Sequence, residues 1–301
     1  NRAGGGLMQA GFYRWLSKVS RQTGPWFFEL MARLVAAGFF VLSPKQVAIS
    51  ARFFRVLFAG DGPPALVHTW RQYQRFTTVF LDRFLLYHSG GLHYRSQNWP
   101  RLEKWIADGR GVIILMSHVG NWEIAAHFFQ QKTSAVPILI YMGTRQKEQI
   151  ERLQKEALRK QGLNIVAVGD SETSPFNLLE GLQTLRNGGV VAMTGDRLWH
   201  ARQRAVTVDF SGKTARIPEA PYRLALLAGC PIVPFFAFRT APRRYTISAL
   251  NPIFVSFGSN GERAAAVQTA AQSYADRLAR MARQHPDQWY HFGPFFDTAR
   301  K

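Results

Sequence analysis

The sequence is poor in cysteine and in acidic residues. Of its 301 residues one is a cysteine, Cys230, which lies in an apolar run where a buried structural thiol is expected. A single cysteine excludes a disulfide framework within one chain, which fits a reducing compartment. A chain of this length can bury a large core without such cross-links.

Several motifs of metal binding and catalysis are also absent. The sequence has no H-E-x-x-H pair and no paired cysteines, so a metal site is not predicted. It has no G-x-S-x-G turn, which argues against an α/β-hydrolase, and no G-x-x-x-x-G-K-[ST] phosphate loop. His200 and His291 are interpreted as surface or core histidines rather than as metal ligands.

Positive charge, by contrast, is abundant. The chain has 38 Lys and Arg against 19 Asp and Glu, a formal net charge of +19. Much of the excess is arginine, whose guanidinium forms forked contacts with phosphate and carboxylate, so an anionic partner is predicted. The basic residues are spread along the chain, without a zinc-finger, RRM-like or heptad-bearing basic signature. An anionic membrane surface is therefore preferred to nucleic acid as the partner.

The first long apolar run covers residues 26–42 and ends at Ser43-Pro44. It is slightly short for a membrane span and contains Glu29 and Arg33, which can pair across one helical turn. We interpret the run as a membrane-docking or shallowly inserted helix. A spanning helix and an ordinary core helix remain alternatives.

Residues 47–92 also have a helical pattern, dense in phenylalanine, tryptophan and arginine. Amphipathic core helices with a solvated basic face explain this pattern, and an interfacial role of the aromatic and cationic side chains is the alternative. The sequence thus predicts a helical, membrane-associated region at 12–95 and an α/β domain at 96–301.

Beyond Trp99, strand-like and helix-like segments alternate. Such repeats predict an α/β fold with a mostly parallel or mixed central sheet covered by helices on both faces. The predicted strands lie near 112–116, 136–141, 164–168, 190–194, 232–238 and 245–250. The predicted helices lie near 121–130, 147–161, 175–187, 218–228 and 262–283.

The most informative stretch is 111–127, a buried strand followed by a helix. Asn121 is a good N-cap for that helix, and the turn before it carries His118 at the carboxyl end of the strand, where ligands of parallel sheets bind. Glu123 follows five positions later, within reach of the imidazole. A histidine oriented by a carboxylate can act as a general base. The alternative is a loop histidine beside a glutamate that complements the helix dipole.

Two further segments carry candidate binding residues. Asp196 and Arg197 follow the strand at 190–194, so they are expected on the same strand-end surface as His118. Arg197 could bind a phosphate or carboxylate there with Asp196 orienting it, and a local ion pair is the alternative. Residues 210–221 read as a glycine-containing loop before a helix, where Arg216 and backbone N–H groups could hold an anion.

With these residues identified, the sequence resembles the lipid A biosynthesis acyltransferase family of lauroyl and myristoyl type, whose signature is an H-x4-D/E block. The resemblance covers about residues 20–295 in order. The matching blocks are 117–123, 178–182, 188–192, 195–196, 210–225, 231–234, 239 and 285–291. Many members have Asp-Gln where this chain has Asp196-Arg197, and a basic tail where residues 292–297 stand.

The resemblance implies a bacterial inner-membrane enzyme that acts at the cytoplasmic face. It would move a fatty acyl chain from an acyl-carrier-protein or coenzyme A thioester to a hydroxyl or amine of a lipid A-like or other glycolipid acceptor, with no cofactor. A lysophospholipid or lipid-linked glycan acyltransferase, and a non-catalytic basic membrane-binding relative, are the alternatives.

The mechanism that we expect is direct transfer. His118 would deprotonate the acceptor while Glu123 fixes its tautomer. Arg197, or backbone N–H groups near Gly120 and Asn121, would stabilise the oxyanion. Asn121, Asp196, Arg197, Arg216 and Arg223 are the predicted substrate-binding residues.

Overall fold

A computed structural model describes residues 15–296 with gaps. The gaps are residues 17, 21, 61–62, 89–90, 134–135, 144–163, 169–174, 200–202 and 257–261. The helix predicted near 147–161 and His200 lie outside the described residues.

Helices form the first part of the chain and recur between the later strands. They are α1 (Pro25–Leu42), α2 (Pro44–Phe58), α3 (Ala65–His88), α4 (Trp99–Ala107), α5 (Trp122–Lys132), α6 (Pro175–Arg186), α7 (Ala220–Ala228) and α8 (Arg263–Gln284). Pro25 and Pro44 stand in the first turn of their helices, where the missing N–H is not needed. A 3₁₀ turn follows at Pro286–Gln288.

Seven strands form one twisted sheet, and two more form a separate hairpin. The strands are β1 (His93–Gln97), β2 (Val112–Met116), β3 (Ile138–Gly143), β4 (Asn164–Val168), β5 (Val190–Thr194), β6 (Ala205–Phe210), β7 (Lys213–Pro218), β8 (Ile232–Ala241) and β9 (Arg244–Ala249). The order of the strands in the sheet is β1-β9-β8-β2-β5-β3-β4. Within the described part of this sheet, β8 and β9 are antiparallel and all other neighbouring strands are parallel. The predicted α/β class with a mostly parallel sheet is confirmed.

The central strand β2 shows why the sheet is covered on both faces. All five of its side chains are buried. Ile113 and Leu115 join a core with α2, α7, α8 and the β6–β7 hairpin, whereas Ile114 and Met116 join a second core with α4 and α5. Alternate side chains of a strand point to opposite faces, so a continuous apolar run is required at this position.

The N-terminal helices pack on one another and on the sheet domain. Phe28 of α1 stacks on Phe84 of α3 at 5.3 Å between ring centroids. Phe53, Phe54 and Leu57 of α2 belong to the same core as the sheet. The division at residue 95 into a helical region and an α/β domain stays a prediction, and the described helices share buried surface with the sheet.

Four elements, β6, β7, β1 and α4, were not predicted. The segment 210–221 was expected to be a loop before a helix, but β6 and β7 form an antiparallel hairpin there. The turn residues Ser211 and Gly212 both have positive φ, as a two-residue hairpin turn requires. The alternation of apolar and polar residues in Ala205–Phe210 matches the alternating burial along β6 and is the sequence signal for this strand.

Gly111 fixes the start of β2. Its φ is +67°, and a Cβ there would collide with the backbone carbonyl of Leu185. Gly109 also has a positive φ, of +65°, but a Cβ there would meet nothing within 4 Å. The two glycines therefore have the same backbone conformation but differ in the room available for a side chain.

We expect Gly111→Ala to lower the free energy of unfolding more than Gly109→Ala does. The left-handed backbone costs an L-residue about 1 kcal/mol at either position, and the collision with Leu185 adds about 2 kcal/mol at Gly111 alone. Thermal or urea unfolding of the two variants measures the difference. Equal losses would contradict the close contact between the β2 turn and α6.

Candidate functional site

His118 lies in the turn between β2 and α5, at the carboxyl end of a central strand as predicted. Asn121 caps α5, because its side-chain oxygen accepts hydrogen bonds from the backbone N–H groups of Glu123 and Ile124 at 3.2 and 3.3 Å. The backbone N–H of Asn121 donates to the carbonyl of Ala237 on β8 at 2.8 Å. The cap and this bond fix the turn against the sheet.

The imidazole of His118 is held by Asp196. Nδ1 of His118 lies 2.9 Å from Oδ1 of Asp196, and the backbone N–H of His118 donates to Oδ2 of the same carboxylate at 2.7 Å. A carboxylate can only accept, so Nδ1 carries the proton and Nε2 has the lone pair. This is the tautomer that a general base needs.

Asp196 is fully buried behind the imidazole. Burial acts to raise the pKa of its carboxyl, but the charge of His118, the hydrogen bonds from His118 and the nearby His291 outweigh burial and hold this pKa below its ordinary value. The carboxylate therefore stays ionised and can stabilise an imidazolium ring in front of it.

Register explains how two residues 78 positions apart meet. Met116 of β2 is paired with Thr194 of the neighbouring parallel strand β5. His118 and Asp196 each follow their strand end by two positions, so their side chains emerge at the same level. The expectation that Asp196 shares a surface with His118 is confirmed by this geometry, but its partner is His118 rather than Arg197.

Glu123 has a different partner from the one expected. Its carboxylate is buried and accepts from Arg83 of α3, with Nε at 3.0 and 2.8 Å from its two oxygens and Nη2 at 2.5 Å. The expectation that Glu123 binds the imidazole is therefore wrong, because Asp196 binds Nδ1 of His118 and Glu123 binds Arg83. As the second residue of α5, Glu123 points to α3 because Asn121 fixes the direction in which that helix starts.

A second buried charge pair lies beside the first. Asp82 of α3 accepts from Nε of Arg239 on β8 at 2.7 Å and from the hydroxyl of Tyr245 on β9 at 2.5 Å. The amide of Asn121 in turn donates to that hydroxyl at 3.3 Å. A network thus joins α3, the sheet and the cap of the His118 turn.

Arg197 approaches the other ring nitrogen of His118. Its Nη1 lies 3.4 Å from Nε2, and its guanidinium lies over the ring of Trp199 at 5.9 Å. Trp199 covers the backbone of Gly143 so closely that a Cβ there would overlap its indole ring. A cation is therefore held next to the lone pair of the base.

The C-terminal segment closes the site on a further side. The backbone N–H of Tyr290 donates to the carbonyl of His118 at 2.6 Å, and that of Gly120 donates to the carbonyl of Gln288 at 2.8 Å. Gly120 has a φ of +81°, and a Cβ there would collide with the carbonyl of Ala237. Only glycine fits this close passage between the sheet and the C-terminal segment.

His291 was interpreted as a surface or core histidine, and it is a buried residue of the site. Its ring lies 5.6 Å from that of His118, edge to face at 86°. Burial is the main reason why the pKa of His291 is lowered to about 3. The H-x4-E spacing gave no signal for this residue, because its position depends on the C-terminal segment folding back.

A cavity of about 1280 Å³ opens at this site. Its walls come from α1, α3, β3 and the C-terminal segment, and much of its lining is apolar. Ala36 and Phe39 of α1, Phe76 and Phe80 of α3, and Phe292 and Phe295 are among the apolar residues. Such a space can take a long apolar chain beside the base.

The predicted binding residues divide into two groups. His118, Asn121, Asp196, Arg197 and Arg216 all line the cavity, together with Arg83, Trp199 and His291, which were not predicted. Arg223 lies on α7, where it is half exposed and pairs with Glu219 at 3.6 Å, and it is not part of the lining. The structure does not bring Arg223 together with His118, and its role in substrate binding stays a prediction.

Across the part of the chain that the structure describes, no three His, Cys, Asp or Glu side chains cluster as metal ligands would. Cys230 is buried, and burial raises the pKa of its thiol to about 12, which fits a structural role.

A histidine held by a buried carboxylate, at the carboxyl ends of two parallel strands and beside a large cavity with much apolar lining, is an arrangement typical of an α/β enzyme. Residues 91–298 match the bacterial lipid A biosynthesis acyltransferase family. The chain belongs to this family, so the resemblance found in the sequence is confirmed.

Among known proteins, the chain is similar to phosphatidylinositol mannoside acyltransferases. It is 25% identical to that of two strains of Mycobacterium tuberculosis over 240 residues, which cover 75% of this chain and 66% of the relatives. It is 24% identical to that of Mycolicibacterium smegmatis over 194 residues, which cover 62% of this chain and 57% of the relative. The match thus spans less than two thirds of each relative's length.

We expect Glu123→Gln to destabilise the protein, because the buried Arg83 guanidinium loses this counter-charge. Removing one partner of a buried pair costs about 3 to 5 kcal/mol, whereas an exposed pair is worth less than about 1 kcal/mol. Glu29 and Arg33 of α1 form such an exposed pair at 2.5 Å, so Glu29→Gln is the matched control. Urea unfolding of both variants measures the contrast, and similar losses would contradict the structural role of the buried pair.

Proposed function

We propose that the protein transfers a fatty acyl chain from an acyl-carrier-protein or coenzyme A thioester to a hydroxyl or amine of a glycolipid. The observation that carries this proposal is the bond from Nδ1 of His118 to the buried Asp196, which leaves the lone pair of Nε2 beside the cavity. Membership of an acyltransferase family supports the reaction type.

The reaction then needs no covalent enzyme intermediate. Nε2 of His118 takes the proton of the acceptor nucleophile, which attacks the thioester carbonyl. The tetrahedral intermediate collapses as the carbon–sulfur bond breaks, and the imidazolium returns its proton to the thiolate. Asp196 stabilises the imidazolium between these two steps, as the acid does in a catalytic triad.

Arg197 is suited to the charge that develops on the carbonyl oxygen. Its bond to Nε2 is long, at 3.4 Å, so an acceptor hydroxyl can replace it there. The displaced guanidinium stays next to the reacting carbon, where N–H donors stabilise an oxyanion. Arg216, which lines the same cavity and is exposed, is our candidate for a phosphate of the donor or of the acceptor headgroup.

A glycolipid acceptor is supported by the relatives, whose names specify phosphatidylinositol mannoside. The family description instead specifies lipid A biosynthesis. Both are sugar-bearing lipids, so the shared chemistry is a hydroxyl or amine of a lipid that carries sugar. A lysophospholipid or a lipid-linked glycan acceptor, or a non-catalytic membrane-binding role, would be distinguished by the assay below.

The proposed location is the cytoplasmic face of a bacterial inner membrane, with α1 as the docking helix. By length and composition α1 is apolar enough to cross a membrane. One side of it, with Phe28, is buried against α3, whereas Trp26, Leu30 and Leu34 are exposed on the other side. A helix with one face on its own protein is suited to lie in the membrane surface.

The side of α1 that carries Phe28 also borders the cavity. Val35 and Phe39 are exposed and line the cavity as well. An acyl chain could therefore pass from the membrane surface to His118 along apolar side chains. The net charge of +19 favours binding to an anionic membrane surface.

We expect His118→Ala and Asp196→Asn to lower the rate of acyl transfer by roughly a thousandfold or more, because the base is removed or held in the wrong tautomer. Glu123→Gln should keep activity within about tenfold wherever it is folded, since its carboxylate binds Arg83. Release of thiol from acyl-carrier-protein and acyl coenzyme A thioesters, with sugar-bearing and lysophospholipid acceptors in parallel, measures all three.

The outcomes separate the hypotheses. Equal donor consumption by all variants would refute the role of His118. If Glu123→Gln loses acyl-transfer activity and Asp196→Asn retains it, the sequence-based hypothesis that Glu123 orients His118 would be supported instead. If the wild type consumes no donor with any acceptor, the non-catalytic alternative gains.

We expect Leu34→Glu to weaken binding to vesicles of three parts phosphatidylethanolamine and one part phosphatidylglycerol by about tenfold, because burying one leucine contributes about 1.5 to 3 kcal/mol. Leu34 is 57% exposed, and Leu227 on α7 is 60% exposed, so Leu227→Glu is the matched control. Co-sedimentation with the vesicles measures both. Equal weakening by the two substitutions would count against α1 as the docking surface.

A further inference from the structure

His291 is a second imidazole in the site, with a fixed orientation. Its ring stacks on Trp289 at 5.6 Å and meets the edge of Phe295 at 5.5 Å. It is 5% exposed and lines the cavity beside His118. The proposed mechanism gives this residue no task.

The hydrogen bond of Nδ1 settles its tautomer. Nδ1 lies 3.2 Å from the backbone carbonyl of Gly293, and a carbonyl can only accept. Nδ1 therefore carries the proton, and Nε2 carries the lone pair. Among the hydrogen bonds of the described residues, none involves Nε2 of His291.

The surroundings keep this ring neutral. Burial and the neighbouring positive groups His118 and Arg197 oppose a charge on it, against the attraction of Asp196. At neutral pH His291 thus presents a permanent acceptor, whereas His118 cycles between acceptor and donor during the reaction.

The attacking hydroxyl has a single proton, which goes to His118. A second acceptor close by can therefore be satisfied only by a different hydroxyl or N–H of the same substrate. The ring centroids are 5.6 Å apart, so neighbouring hydroxyls of one sugar ring are close enough together for each to approach one of the two imidazoles. A buried acceptor that is left unpaired disfavours a substrate that lacks the second group.

We infer that Nε2 of His291 accepts a hydrogen bond from a hydroxyl adjacent to the acylated one, and so selects sugar-bearing acceptors with neighbouring hydroxyls over lipids with a lone alcohol. His291 would be a specificity-determining residue that does not take the reacting proton. This inference rests on the proposed function and deepens it.

Two substitutions separate the acceptor atom from the ring. His291→Asn keeps a donor near the position of Nδ1 for Gly293 but has no atom at the position of Nε2. His291→Gln places an amide oxygen near the position of Nε2 and so restores the acceptor. Thermal unfolding of each variant establishes that it is folded under the assay conditions.

The experiment compares a phosphatidylinositol mannoside with a deoxy analogue that lacks one hydroxyl adjacent to the acylated position. For the wild type we expect the deoxy analogue to have a kcat/KM roughly tenfold lower. His291→Asn should lose roughly tenfold on the full sugar, chiefly through KM, and nothing further on the analogue. His291→Gln should recover most of the discrimination.

Discrimination that stays at the wild-type ratio in a folded His291→Asn variant would overturn the inference while the acyltransferase proposal stands, and so would an equal loss on both acceptors. A wild type that transfers no acyl chain to either acceptor, nor to any other acceptor tried, would overturn the proposed function and the inference with it. A general packing role of His291 predicts a loss that His291→Gln does not restore, and that result also rejects the inference.

Discussion

The structure depends on two adjacent charged residues of α3, which are both buried and bind partners in two different parts of the molecule. Asp82 binds Arg239 and Tyr245 on the sheet, and Arg83 binds Glu123 on α5. Apolar contacts change little when a helix slides by a fraction of an ångström, but hydrogen bonds of this kind are lost beyond about 3.5 Å. The two pairs therefore fix the register of α3 on the α/β layer, which apolar packing by itself would leave less well determined.

This register decides the shape of the site. The amide of Gln72 on α3 donates to the carbonyl of Trp289, and the next residue, Tyr290, donates to the carbonyl of His118. The helix, the C-terminal segment and the turn that carries His118 are thus connected by consecutive bonds. Because α1 packs on α3 through Phe28 and Phe84, the exposed apolar face of α1 is also held in a defined position relative to His118.

The sequence was informative wherever the decisive interaction is local. The N-cap at Asn121, the strand before His118 and the alternation of strands and helices follow from neighbours in sequence. The partners of His118 and Glu123 do not, because Asp196 lies 78 positions and Arg83 lies 40 positions away. Strand-end placement correctly brought Asp196 to the same surface, but the order that sets β2 beside β5 could not be read from the pattern. Proximity in sequence favoured Glu123 for a role whose geometry Asp196 fulfils.

The distribution of buried charge explains why two acids are needed near one base. The guanidinium of Arg83 lines the cavity and would repel an imidazolium if it had no carboxylate beside it, and Glu123 supplies that carboxylate. Asp196 can then serve His118 alone, with both of its oxygens engaged by that residue. A single carboxylate shared between Arg83 and a protonated His118 would leave one positive charge without a counter-charge, which would oppose protonation of the imidazole. Neutralising Arg83 and orienting His118 are therefore separate electrostatic tasks. The glutamate of the H-x4-E block performs the first, and Asp196, which lies outside the block, performs the second.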